Sequence, residues 1–172
     1  KILVEQFLEG YHIRSTHKDT FYPIQYDDLN IVEPFGPNTR ITFPYQNIER
    51  LRERPESAWR TDRRVTYVYH LFPNVMLVTF PDQVLVVTID PLDIDHTTVT
   101  IYAMTTPEIA VKTKPGDAGV LLAAGAMEDN EMSAGVQRGM RAGANSFVEF
   151  GTHESAIGRF HATLDERLVC AR

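Results

Sequence analysis

The spacing of hydrophobic positions changes period twice along the chain. Between residues 2 and 13, Val4, Phe7, Leu8 and Tyr11 recur at helical spacing, forming the single apolar stripe of an amphipathic helix. At about 100° per residue, His12 falls beside that stripe and Glu5 and Glu9 continue around the same edge. "DTFYPIQYDDLN" (19–30) loses the period and reads as a loop. "NTRITFPY" (38–45) alternates, predicting a strand, and "NIERLRER" predicts a short helix stopped by Pro55. "RVTYVYHLF", "VMLVTF", "QVLVVTID" and "TTVTIYAMTT" are β-branched and aromatic runs. Their connectors, "PN", "PD" and "PLDIDH", are too short for crossovers, so the four strands form an antiparallel meander. "KPGDAG" ends the pattern, and two helices follow, at 128–143 and 154–169. Helix, strands, helices is the order of an α+β domain with helices against one face of an antiparallel sheet.

Composition narrows the class. A chain of 172 residues is one domain's worth, and at this size folding hides roughly 70% of the extended chain's surface. The net charge of −6 argues against a nucleic-acid partner, which requires a dense basic footprint. The basic residues between Arg50 and Arg64 are interleaved with acidic ones and read as a solvated face. The single cysteine, Cys170, permits no internal disulfide, iron–sulfur cluster or thiolate zinc site. It fits a reducing, cytoplasmic setting. No apolar run approaches the ~18 residues of a membrane helix. The chain begins at Lys1 rather than at Met, so a piece of a longer protein is expected.

The candidate chemistry lies in "EGYHIRSTHKD" (9–19). Glu9 and His12, three apart, share a helix face. His12 and His17, five apart, would point about 140° away from each other on a continuous helix. They converge only if the helix loosens or ends between them; otherwise they are two unrelated histidines. A third group lies far away in "EDNEMSAGVQRGM". There Asp129 projects onto a stripe of Met132, Val136 and Met140, while Glu128 lies about 100° off it. Two readings of Asp129 stay open: a carboxylate at a helix N-terminus serving the free amides, or a core-facing group with a partner that offsets its desolvation. Two imidazoles and one carboxylate leave coordination positions open, a set that suits non-haem Fe(II) and that zinc also accepts.

"VEQFLEGYHIRSTHKDT" resembles the iron-binding segment of Rieske non-haem iron oxygenases, the α-subunits of ring-hydroxylating oxygenases. "EDNEMSAGVQ" resembles their late helix, with Gln137 at the family's offset from the aspartate, "YHLFPNVMLV" a stretch of their central sheet, and "IGRFHATLDERL" their closing helix. The resemblance implies a helix-grip (START/Bet v1-like) fold, a curved antiparallel sheet packed against helices. It implies His12, His17 and Asp129 as ligands of a mononuclear Fe(II). Glu9 would be a bridging acid near the molecular surface, passing electrons from the Rieske cluster of a neighbouring subunit. Gln6 stands where the family often has Asn. The expected reaction is hydroxylation, by mono- or dioxygenation, of an aromatic or other organic substrate with O2. A ferredoxin or reductase would supply electrons, and the protein would be a homo-oligomer, a trimer by resemblance, with no nucleic-acid or membrane partner. The 2Fe–2S Rieske cluster needs two Cys and two His, so it is expected in a separate domain. The whole of 1–172 is then one catalytic domain. Its cavity is expected to be lined by Tyr11, by "FPNVMLV" and by "NSFVEF", around Phe147 and Val148.

Two alternatives come from other classes. A helix-grip domain also serves as a hydrophobic-ligand carrier without chemistry. A zinc-dependent hydrolase would use Glu9 or Glu128 as general base. His70, His96, His153 and His161 have no metal partner at telling spacing, and His161 reads as a core or boundary histidine.

Overall fold

The computed structural model describes residues 1–108 and 117–170. Six strands, β1 (Ile31–Phe35), β2 (Asn38–Pro44), β3 (Val65–Leu71), β4 (Val75–Thr79), β5 (Val84–Pro91) and β6 (Thr97–Met104), form one curved antiparallel sheet. Their order in space is their order in sequence, a strict meander. The four strands predicted from the β-branched runs and the one at 38–45 are all present. Alternation fixes which face is buried. The registry aligns Ile41, Val68, Val78 and Leu85 in one row across β2 to β5, and His70, Met76 and Val87 in the next across β3 to β5. Both rows are buried. Against this face lie the N-terminal segment, through Val4, Leu8 and Ile13, and a C-terminal helix, through Ala156, Ile157 and Phe160.

β1 is the strand the sequence reading missed. It is an edge strand holding Pro34, with no alternation of burial. Proline is tolerated there because one side of an edge strand needs no ladder hydrogen bonds. Gly36 takes φ +60° in the two-residue turn to β2, a conformation that glycine adopts without strain. The segment 46–53, expected as a short helix, is a 3-10 helix ending before Pro55.

The helices depart further from expectation. The continuous helix predicted over 2–13 is two short ones, α1 (Ile2–Gln6) and α2 (His12–Thr16). Gly10 lies between them and packs so tightly that an added Cβ would be 3.2 Å from the Asp27 carbonyl oxygen and 3.3 Å from the Phe43 ring. The chain restarts as helix where the Glu9 carboxylate accepts the His12 backbone N–H at 3.2 Å. The break takes Tyr11 off the apolar stripe, leaving it 40% exposed.

α3 (Asp117–Arg141) starts eleven residues before the expected 128; the first half of "KPGDAG", 114–116, lies outside the described residues and the second half opens the helix. Asp129 is therefore mid-helix, far from any free terminal amides, and the N-terminal reading of this residue is excluded. The inward stripe of α3 runs through Gly125, Asp129 and Ser133, not through Val136 and Met140, which are exposed. α4 (Ser155–Cys170) is offset from expectation by one residue at each end. Among the described residues no helix is long and apolar enough to cross a membrane.

Candidate metal centre

Three side chains from two distant parts of the chain meet under the sheet. His12 opens α2, and His17 is its C-cap, with φ −98° and ψ 36°. The helix ends at His17, which is how a five-residue spacing allows the two rings to converge, with centroids 5.1 Å apart. Asp129 approaches from α3, and one ligand atom from each of the three lies within 4.8 Å of the others. α3 is tied to α1 one turn later, where Ser133 Oγ donates to Gln6 Oε1 at 2.6 Å.

A carboxylate holds the outer nitrogen of each ring. His12 Nδ1 meets Glu9 Oε1. His17 Nδ1 meets Glu128 Oε2 at 2.8 Å, and Thr20 Oγ1 donates to the same oxygen at 2.8 Å. An ionised carboxylate can only accept, so each Nδ1 carries a proton and each neutral ring turns the lone pair of Nε2 inward. Those lone pairs face Asp129 Oδ1, at 3.0 Å from His17 and 3.7 Å from His12. Asp129 Oδ1 is sealed from solvent and has no hydrogen-bond partner. Three acceptors directed at one point repel one another unless a positive charge lies among them. A divalent cation supplies that charge, and two imidazole nitrogens with one carboxylate oxygen suit Fe(II) with open positions or zinc. The set fits a metal.

With no cation among these acceptors, a proton on His17 Nε2, 3.0 Å from Asp129 Oδ1, supplies the positive charge instead. Burial alone would lower the pKa of His17, but the carboxylates of Asp129 and Glu128 outweigh it and hold the imidazole above its ordinary value. Burial would raise Glu128, but hydrogen bonds from His17 and Thr20 hold it below the usual carboxylate range.

A cavity of about 350 Å³ opens beside the three side chains. Its floor is the sheet, through Val68, Val78, Leu85 and Val87, and its walls include Phe7, Ile13, Phe21 and Phe80. Phe21 stands edge-on to His17, centroids 5.0 Å apart.

A family model described as the ring-hydroxylating alpha subunit (catalytic domain) matches residues 1–169. The chain belongs to this family. The chain is similar in fold to a crystal structure of the quaternary ammonium Rieske monooxygenase CntA bound to the inhibitor MMV12. That match has 15% identity and a TM-score of 0.65, and covers 96% of this chain. A second similar structure is a quaternary ammonium Rieske monooxygenase described in relation to carnitine oxidation by gut microbiota and inter-subunit electron transfer. It is 17% identical over 98% of this chain, with a TM-score of 0.65. The chain spans 45% of the length of each. No curated protein sequence matches it.

Several expected positions shift. Tyr11 does not line the cavity; it packs on His153, with ring centroids 5.9 Å apart. Phe147 and Val148 are exposed and also lie outside the cavity. The break before α2 rotates Tyr11 away, and residues 142–153 form no helix or strand that would carry "NSFVEF" inward. The lining comes instead from Phe7, Phe21, Phe80 and the sheet. The inward alternation of β3 to β5 signalled the sheet residues, whereas nothing in the sequence signalled Phe21. Glu9 is not at the surface. It is 8% exposed, more buried than the near-surface position expected of it. Glu128, read only as a possible base, is a partner of His17. His161 is a boundary histidine paired with Glu5 Oε1 at 2.6 Å.

Proposed function

We propose that this chain is the catalytic domain of a Rieske-type oxygenase that hydroxylates an organic substrate with O2, and that His12, His17 and Asp129 hold a mononuclear Fe(II). The observation that carries this reading is the unpartnered, sealed Asp129 Oδ1 facing two inward imidazole nitrogens. Fe(II) bound there would supply the redox chemistry with dioxygen, which no side chain of the protein provides. The chain's own residues do the rest. Glu9 and Glu128 accept the Nδ1 protons of His12 and His17. They fix the tautomers and keep both Nε2 lone pairs inward, as outer carboxylates do for metal-bound histidines. The apolar cavity binds the substrate and excludes bulk water. Glu9, hydrogen-bonded to His12, is the bridge to an electron donor, a Rieske cluster in another domain or subunit. The chain is then the single catalytic unit of a longer, cytoplasmic, oligomeric protein supplied by a ferredoxin or reductase.

Metal analysis after anaerobic purification, with Fe(II) and Co(II) titrations, tests this reading. One equivalent of metal is expected, with binding lost in His12→Ala, His17→Ala and Asp129→Ala. If the wild-type protein takes up neither ion, the proposal fails. Stoichiometric zinc together with hydrolytic activity would replace it with the hydrolase alternative.

A further inference from the structure

We infer that the cavity selects a neutral substrate, an apolar body carrying one carbonyl or hydroxyl group, and that the Gln25 carboxamide is the group that recognises it. This rests on the reading of the cavity as the substrate site. Gln25 lines the cavity and is 6% exposed. Its backbone is fixed by an N–H donated to the Phe21 carbonyl at 3.0 Å and by a bridge to Tyr45. Among the described residues its carboxamide makes no hydrogen bond. It is also not one of the buried polar groups sealed without a partner, which are Asn30 Oδ1 and Asp129 Oδ1. It therefore presents a donor and an acceptor to the cavity.

The other polar groups of the lining are mostly committed. Thr66 Oγ1 is bonded to the Tyr45 hydroxyl at 2.5 Å, Gln6 Oε1 to Ser133, and Glu9 to His12. Gln83 is less buried and also lines a second hollow beside Phe21 and Phe80. The described lining contains no Lys or Arg, so away from the metal position an anionic group would be buried without a counter-charge. Of its two carboxylates, Glu9 is bonded to His12 and Asp129 is directed at the imidazole nitrogens, so with the metal bound a cationic substrate would also lack an ion partner. Burying an unpaired charge is costly, whereas a carboxamide satisfies a neutral carbonyl or hydroxyl fully. The site thus differs in charge preference from the quaternary ammonium named for the similar solved structures.

Four probes of similar size separate the possibilities: acetophenone, ethylbenzene, benzoate and phenyltrimethylammonium. Their affinities are measured by calorimetry on the full protein, with and without Co(II). Acetophenone should bind about three- to tenfold tighter than ethylbenzene, the worth of one neutral hydrogen bond. Benzoate in the absence of Co(II), and phenyltrimethylammonium in its presence, should each bind at least about 100-fold more weakly than acetophenone under the same condition. Gln25→Leu should erase the preference for acetophenone over ethylbenzene, and Gln25→Glu, of the same shape but anionic, should favour phenyltrimethylammonium. Under those conditions, binding of either ion as tight as acetophenone, no binding of any probe, or a preference unchanged in both variants would overturn the inference. Failure to bind Co(II) with the ligand order intact would count against the metal reading alone.

Discussion

Glu9 and Glu128 perform the same task from opposite sides of the site, yet only one of them was legible in the sequence. Glu9 lies three residues before His12, so local spacing reveals the pair. Glu128 meets His17 across 111 residues, and its position depends on the rotation of α3, which no local pattern encodes. Helix geometry left Asp129 between a terminal cap and an inward group, and the start of α3 at Asp117 decides between them. Glu128→Ala should loosen His17 and lower Co(II) affinity by about 10–100-fold, while Glu128→Gln, which keeps an acceptor, should recover most of it. The 15N chemical shifts of the His17 ring provide a check that reports on its tautomer directly. Glu9→Gln should retain its metal but slow electron delivery strongly, measured as iron content together with a single-turnover rate in the full-length enzyme. Complete loss of iron in that variant would make Glu9 a ligand and not a bridge.

Periodicity located the elements where it was unbroken and failed where a contact overrode it. β2 to β6 were legible because β-branched runs with short connectors allow one topology. β1 was not, because an edge strand with Pro34 buries neither face regularly. The helix over 2–13 was wrong in one place, where Gly10 is pressed against β2. A comparable close approach fixes α3: a Cβ on Gly125 would come within 2.5 Å of Phe21 Cε2. Gly125→Ala gains about 1 kcal/mol of helix propensity and meets an overpacking cost of about 1–3 kcal/mol. A small net destabilisation is expected in denaturant titration, with a change in cavity binding as Phe21 moves. Within β3, His70 is 1% exposed and donates to the Pro73 carbonyl at 3.2 Å. Burial depresses its pKa below the ordinary 6.5, against a weaker opposite effect of that hydrogen bond. As pH falls below 6.5 the unfolded chain takes up a proton that the folded chain refuses, so stability falls until the folded pKa is reached. The slope is at most about 1.4 kcal/mol per pH unit. His17, with its raised pKa, acts in the opposite sense. His70→Gln should therefore flatten the fall in melting temperature between pH 7 and pH 5 relative to the parent.

At the scale of the molecule, the sheet and the site are built from contacts of different reach. Every strand pairs with its neighbour in sequence, whereas the site joins α2 to α3 around the whole sheet. With one cysteine, the chain has too few thiolates for a Rieske cluster, which needs two. The 172-residue protein given substrate and a reductase should show no sustained hydroxylation, and should show it only when a Rieske protein is added. Turnover without that addition would refute the need for an external cluster. The meander also has a kinetic consequence. Its pairings close short loops and can form early, while the three candidate ligands must wait for a long closure, the 111 residues that separate His17 from Glu128. A cation bound there acts as a late cross-link, absent from the folding transition state. Saturating Co(II) should then leave the refolding rate almost unchanged and slow unfolding by nearly the full factor by which it stabilises the protein. Metal loss in such a molecule would set its lifetime.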